Sequence, residues 1–319
     1  MRLDAADRVV VTGGAGFLGS HLLPVLQGRY PASKIVALRS RDYDLMDMRQ
    51  AERMFAEQKP TVLIHLAAYS GGIEANRLYP ADFFHRNLIL TANVFHVAAL
   101  RGVRKLVYPM GGCSYPGQAT SPIDETQMWN GLPVETSAGY SLAKRMGITA
   151  GWAYRRQYGL NSVVLVPGNM YGEYDNYREQ ESHVIPGLIR RFHDARCRGL
   201  PSVTLWGTGE PVRDFVYAGD VAALFPFFIE QDEIAGPINL SSGTTTRIRA
   251  LAALIAELTG YRGELLWDRT KPDGQMIKIF DVARMHALGL RCDTSLRDGL
   301  ERTIAWFGRN CDVPGAVRL

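Results

Sequence analysis

The sequence predicts an α/β chain, a doubly wound parallel sheet joined to a smaller mixed α/β lobe. Three observations carry this. Short β-branched runs alternate with helical patterns through the first half, a glycine-rich turn follows the first run, and the rhythm breaks after Pro167. Strands separated by helices call for right-handed crossovers, and so for parallel pairing.

Residues 8–11 read as a buried strand because the run is wholly apolar after its first residue. A glycine turn follows, then a helix over residues 20–27. A second strand over 34–38 precedes a helix that starts at Asp47, whose side chain can accept free backbone N–H groups, and ends near Gln58. A third strand (61–66) leads to a long helix (83–100), a fourth (105–108) to another long helix (138–158), and a fifth spans 162–166. Beyond Pro167, Gly, Pro, Tyr and Asn crowd residues 167–177. A helix over 185–195, an edge strand over 203–206, a helix over 220–230, a strand over 237–240 and a helix over 248–259 complete the reading. The expected division is residues 1–167, with returns from about residues 211–242, and a lobe formed mainly by 168–319.

With 319 residues, 46% hydrophobic and 21% charged, the chain can bury a sizeable core in one large domain or two closely joined ones. The net charge of +4 is spread along the chain, which suits a small anionic ligand and argues against a nucleic-acid track. Cys113, Cys197, Cys292 and Cys311 lie far apart without metal-ligand spacing, so they are expected to be reduced thiols with no metal. The start, Met1-Arg2-Leu3-Asp4, lacks a signal-peptide profile, and no apolar run approaches the ~20 residues that span a bilayer. The expectation is a cytoplasmic chain with no membrane partner.

Gly13-Gly14-Ala15-Gly16-Phe17-Leu18-Gly19 ends the first strand and opens a helix. Such a turn needs positive φ, and its backbone must approach a pyrophosphate with no Cβ in the way. The N–H groups at the helix start, around Phe17 and Leu18, then attract the anion. This is a dinucleotide cradle of the Rossmann type. The second strand runs into Arg39-Ser40-Arg41, where two guanidiniums and a hydroxyl suit the 2′-phosphate of NADP. Asp42 and Asp44 follow closely enough to keep NAD open.

Tyr140 and Lys144 stand one helical turn apart on one face of the long helix after the fourth strand. The ammonium is expected to lower the phenol from about 10 toward neutrality. The phenol then exchanges a proton with an alcohol or ketone while hydride moves.

The glycine turn, Leu66-Ala67-Ala68 after the third strand, and the Tyr140/Lys144 pair resemble the extended short-chain dehydrogenase/reductase (NAD-dependent epimerase/dehydratase) family. Several stretches narrow the resemblance to its GDP-L-fucose synthase group: residues 71–76, 80–83, 113–116, 182–186, 189–193, 206–215 and 271–274. The resemblance implies an NADP-dependent epimerase/reductase acting on a GDP-4-keto-deoxysugar, with Cys113 and His183 as the epimerase acid/base pair. It also implies that Arg213, Arg190 or Arg191, and Lys278 meet the diphosphate and that Trp206 covers the base. Ser114, Asn169, His183, Val184 and Arg191 then line the substrate pocket in the 168–319 lobe and beside it. A homodimer built from the 83–100 and 138–158 helices follows from the same likeness.

One position departs from the family pattern. Four residues before Tyr115, where Ser or Thr normally bonds the reacting sugar oxygen, stands Gly111. Two further readings therefore remain: a nucleotide-sugar epimerase without net redox, which keeps its NAD(P), and a cofactor-binding regulator without catalysis.

Overall fold

The computed structural model describes residues 3–179, 181–232, 234 and 236–318. Met1 and Arg2, which open the stretch read above for a signal peptide, lie outside the described residues. Six parallel strands form the central sheet: β1 (Arg8–Thr12), β2 (Lys34–Leu38), β3 (Val62–His65), β4 (Lys105–Pro109), β5 (Ser162–Pro167) and β10 (Pro237–Leu240), in the order β10-β5-β4-β3-β1-β2. Val9 and Val11 pack into the core on one face and Val10 into the core on the other, which is the two-residue period of a strand buried on both sides.

The first face is covered by α1 (Phe17–Arg29) and α7 (Ala218–Glu230), through Leu18, Leu22, Leu26, Phe225 and Phe228. The opposite face carries α2 (Met48–Gln58), α4 (Pro80–Leu100) and α5 (Ala138–Tyr158). The Asp47 side chain accepts from Arg49 N at 2.9 Å, so this helix starts where the sequence placed its cap. Two helices start three residues earlier than read. α1 opens at Phe17 because the glycine turn feeds straight into it, and α4 opens at Pro80, whose fixed φ and missing N–H suit a first helical position.

A second layer assembles after β5. The third core packs α6 (Val184–Cys197), α8 (Ile248–Thr259) and α10 (Leu296–Asn310) around Phe192, Tyr177, Ile255 and Phe307. The edge strand read at 203–206 is β7 (Ser202–Trp206), paired in parallel only with β12 (Glu264–Asp268) and separate from the main sheet. Short pairs complete this side: β6 (Asn169–Tyr171) with β9 (Phe215–Tyr217), and β8 (Val212–Arg213) between β11 (Thr246–Arg247) and β13 (Ile277–Lys278). The short helices α3 (Ile73–Leu78) and α9 (Ala283–Ala287) fill out the chain.

β1 has β2 on one side and β3 on the other, so the crossovers leave it in opposite directions. That topological switch opens a crevice at the carboxyl ends of the strands. The turns after β1, β3 and β4 all end there.

Gly147 on α5 sits directly over the Tyr108 ring of β4, where any added Cβ would collide with it. Tyr108 is fully buried and donates from its hydroxyl to the Lys144 carbonyl at 3.2 Å. Gly147→Ala is expected to lower stability by about 1–3 kcal/mol through overpacking. The measurement is the urea midpoint at unchanged slope; an unmoved midpoint contradicts this packing.

Candidate active site

The turn after β1 is stitched to the end of β2. Gly13 N and Gly14 N both donate to the Leu38 carbonyl, at 2.9 and 3.3 Å, and Gly16 N donates to Gly13 O at 2.9 Å. Gly13 has φ +69°, and a Cβ there would lie 2.8 Å from Ala67 N. Only glycine combines that backbone with so close an approach to the chain after β3. Leu66 N and Ala67 N donate to the backbone and hydroxyl oxygens of Thr12, at 3.0 and 3.4 Å, and Ala68 continues that loop half-buried. Gly19 presses against the Gly14 carbonyl, locking the first turn of α1 onto the loop. No side chain caps α1, whose first residues are Phe17, Leu18 and Gly19.

Arg39 and Arg41 are exposed at the end of β2. The two acids beside them are engaged by backbone: Asp42 accepts from Arg39 N at 2.7 Å, and Asp44 accepts from Met46 N at 3.0 Å. Asp42 also lies 4.0 Å from the Arg41 guanidinium.

The long helix α5 turns Tyr140 and Lys144 inward. Lys144 is only 3% exposed, and its Nζ lies 4.1 Å from the centroid of the Tyr108 ring. Burial pulls the ammonium down to about 7, with Cys113 acting in the opposite sense. Tyr140 moves against the sequence expectation. Burial, then the Cys113 and Tyr108 charges, push the phenol above its usual range. Desolvation penalises the phenolate here, and Lys144, itself desolvated, does not reverse it.

Gly111 stands where these groups meet. A Cβ built on it would lie 3.1 Å from Cys113 Sγ and 3.7 Å from the Tyr140 hydroxyl. The half-buried thiol and the phenol therefore face one small space, left open by the missing side chain. Phe83 closes one wall, with its ring 6.4 Å from Tyr140 and 4.6 Å from Tyr69.

A cationic pair approaches from the other side. Arg213 of β8 and Lys278 of β13 are register partners on adjacent parallel strands. Burial lowers both, Arg213 adds to the effect on Lys278, and Cys113 opposes it. Like charges side by side repel, so this pair suits an anion between them.

The remaining predicted residues lie on several different elements. His183 caps α6 with its side chain 60% exposed and Nδ1 3.9 Å from Asp175 Oδ1. Asp175 raises the imidazole. The segment before it rests on Gly72, where a Cβ would lie 2.9 Å from Glu181 O, while a Cβ on Gly71 would lie 3.1 Å from Phe83. Val184 is exposed beside His183, and Asn169 Nδ2 donates to Asp214 O at 2.8 Å. Ser114 is fully buried with no partner for its hydroxyl among the described residues, and its carbonyl accepts from the Arg145 guanidinium. Arg190 and Arg191 divide as adjacent helical residues must: Arg190 donates to Tyr177 O at 2.9 Å, and the more exposed Arg191 to Thr204 O at 3.2 Å. The Trp206 side chain is 65% exposed, which rules out core packing, and Lys271 Nζ lies 5.7 Å from its ring. Asp175, Tyr108 and Phe83 are site residues that pattern reading passed over. Only the acidic Glu173-Tyr174-Asp175 run gives Asp175 a signal in the sequence.

The depressed Lys144 makes stability depend on pH. Its folded value is about 7, against about 10.4 for an ordinary lysine. The unfolded chain therefore binds the extra proton between those values, and stability rises with pH across that window. Lys105, lowered to about 8 by burial, acts in the same direction. Lys144→Met is expected to exceed the unsubstituted chain in stability near pH 7, with the gap closing by about pH 10. Denaturant melts across that range check this, and a gap that does not change with pH contradicts it.

The family model for the NAD-dependent epimerase/dehydratase family matches residues 9–241. The chain is 38% identical over 307 residues to GDP-L-fucose synthase 1 of Arabidopsis thaliana, covering 96% of this chain and 95% of that one. It is 37% identical over 316 residues to GDP-L-fucose synthase of Escherichia coli K12, covering 96% and 98%. Among solved structures, a GDP-L-fucose synthetase from Naegleria fowleri bound to NADP superposes with a TM-score of 0.91 at 25% identity, over 100% and 98% of the two chains. On the matched residues and on these relatives, the chain belongs to the NAD-dependent epimerase/dehydratase family.

Proposed function

We propose that this chain is an NADP-dependent epimerase/reductase acting on a GDP-4-keto-deoxysugar, as in the GDP-L-fucose synthase group. The observation that carries the reading is the convergence of the Tyr140 hydroxyl and the Cys113 thiol on Gly111, with Lys144 buried behind them.

The residues present fit a dinucleotide. The Gly13 cradle would be filled by any Cβ, and α1 starts without a side-chain cap. At the ribose end the exposed Arg39 and Arg41 stand beside acids engaged by backbone, with Asp42 also against the Arg41 guanidinium, and two cations there favour a 2′-phosphate and so NADP over NAD. Bound there, NADPH supplies the hydride for the sugar ketone. Gly13, Gly14, Gly16, Phe17, Leu18 and Gly19 hold the pyrophosphate, Leu66, Ala67 and Ala68 line the groove, and Arg39 and Arg41 meet the 2′-phosphate.

Arg213 and Lys278 hold the substrate diphosphate, Arg191 adds charge at its rim, and Trp206 stacks on the base. Asn169, Val184, Ser114 and His183 line the sugar. The ketone acidifies the hydrogens on the flanking carbons. Cys113 takes one of these protons, and His183 returns a proton on the opposite face, so the configuration inverts with no net change in composition. The raised Tyr140 then keeps its proton until the ketone oxygen needs it. Lys144 holds the ribose beside it, and solvent replaces the proton after the alcohol forms. This divides the chain between a cofactor half, 1–167 with the return at 211–242, and a sugar-nucleotide lobe, 168–319.

Gly111 favours a second reading, an epimerase without net redox that retains its cofactor, because it replaces the Ser or Thr of the family pattern that bonds the reacting sugar oxygen. A homodimer is supported by α4 and α5, which pack side by side and leave Phe84, Leu100, Trp152 and Tyr158 exposed. Among the described residues no helix is long and apolar enough to cross a membrane, and the four cysteines are free; a cytoplasmic site of action agrees with both.

The test is incubation with NADPH and GDP-4-keto-6-deoxymannose in deuterium oxide. NADPH oxidation equal to product formed is expected, with deuterium on the carbons beside the ketone. Cys113→Ser should abolish deuterium entry while leaving NADPH fluorescence on binding unchanged. An epimerised sugar with no net NADPH loss selects the second reading, and no reaction with any GDP-4-keto sugar overturns both. Undiminished deuterium entry in Cys113→Ser removes the thiol from the mechanism.

A further inference from the structure

We infer that Asp175 is the positioning residue for His183, orienting its imidazole from a buried carboxylate. The inference rests on the reading of His183 as the group that returns a proton to the sugar.

His183 occupies a position hostile to a cation. It is the N-cap residue of α6, a helix of 14 residues, and the partial positive charge of a helix N-terminus disfavours imidazolium. An exposed ring in that place would be expected to titrate low. Asp175 offsets this. Its carboxylate is 2% exposed, and Oδ1 accepts from Asn176 N at 2.7 Å and lies 3.9 Å from His183 Nδ1. The other oxygen, Oδ2, has no hydrogen-bond partner among the described residues. A buried carboxylate with an unsatisfied oxygen is a strong source of negative potential, because little solvent screens it. Its effect on His183 is the larger one, raising the imidazole.

The backbone that delivers Asp175 is built for the purpose. Tyr174 has φ +68°, a left-handed conformation rarely taken by a bulky residue, and it persists only where the surroundings over-determine it. Here two rings do so: Trp306 at 4.9 Å and His21 at 5.6 Å from the Tyr174 ring. Glu173 is fixed on both sides. Its carbonyl accepts from His21 Nε2 at 3.0 Å, and its carboxylate accepts from the Tyr217 hydroxyl at 2.8 Å. His21 lies on α1, one turn beyond Phe17, so the turn that aims Asp175 is braced on the same helix that opens at the glycine cradle.

The other charged groups around the pair do not replace Asp175. On α1, His21 is lowered by burial, and on β9 the Tyr217 hydroxyl faces Glu173, with Arg302 of α10 over its ring. Arg178 and Glu181, just before α6, pair with each other at 3.2 Å, and fully buried Tyr177 is raised in part by Asp175. With Nδ1 turned to the carboxylate, Nε2 is the nitrogen left to deliver a proton.

The test needs no substrate in its first arm. Histidine ring signals of the full chain are titrated by NMR, with His183 assigned by the resonance lost in His183→Gln. His183 is expected to titrate above about 6.5 in the unsubstituted chain, and in Asp175→Asn to fall by about one pH unit or more. The high-pH limb of deuterium exchange into the sugar should move down by the same amount, with NADPH affinity unchanged. Should Asp175→Asn fail to fold, Asp175→Glu is read instead: the elevated titration persists, while exchange slows through the longer side chain. A His183 titration that Asp175→Asn leaves unmoved, or that becomes ordinary in Asp175→Glu, overturns the assignment. Because the NMR arm is independent of turnover, an inactive chain with a shifted His183 sinks the catalytic reading alone. An active chain with an unmoved His183 sinks the role of Asp175 alone.

Discussion

Lys144 gives up its hydration where α5 crosses the end of β4, and it receives in exchange the face of the Tyr108 ring at 4.1 Å. Burying an ammonium this way is unfavourable unless neighbours compensate, and here they do so only in part, leaving it titrating at about 7. Much of the centre is arranged around that constraint. Tyr108 is tied to the Lys144 carbonyl, Gly147 lets the helix lie flat on its ring, and α4 packs along α5 to keep the pair dry. His65, stacked at 5.9 Å on the same ring, is pulled down to about 3, first by burial and then by the Lys144 charge, so it stays neutral beside the cation.

The same economy of charge recurs across the cleft. Arg213 and Lys278 stand in register on neighbouring strands, both depressed by burial, and an anion lying between them would relieve their repulsion. Gly111 leaves open space between the Cys113 thiol and the Tyr140 phenol. In the proposed reading, the paired cations would take a diphosphate and the groups at Gly111 a carbonyl. The fold supplies this at the switch point of the sheet, where three strand ends and the lobe meet.

Much of this was legible in the sequence because the signals are local. Residues 8–11, 34–38 and 105–108 are continuous apolar or β-branched runs, and the strands found there differ from the reading by at most one residue. The two long helices were readable from their length and composition, and the glycine turn from its spacing. What escaped was either short or non-local. β6, β8, β9, β11 and β13 have two or three residues each, too few to show a period, and exist only because partners from distant sequence meet them. α10 was missed despite a usable sign, since Ser295 accepts from Asp298 N three residues on, a capping arrangement visible as Ser-x-x-Asp. The direction of the Tyr140 shift was misjudged for a physical reason. Spacing shows that a cation is near, but only packing shows that both groups are dry. Asp175 is invisible as a partner of His183 because a left-handed Tyr174, held by rings from α1 and α10, has no signature in the local pattern.

A crystal structure with NADP and a GDP-linked sugar bound together reaches the central claim most directly. The nicotinamide ring is expected against Tyr140 and Lys144, the substrate diphosphate between Arg213 and Lys278, and the sugar over Gly111 within hydrogen-bond reach of the Tyr140 hydroxyl. A nicotinamide lying away from Lys144, or a sugar that touches neither Tyr140 nor Cys113, would contradict it.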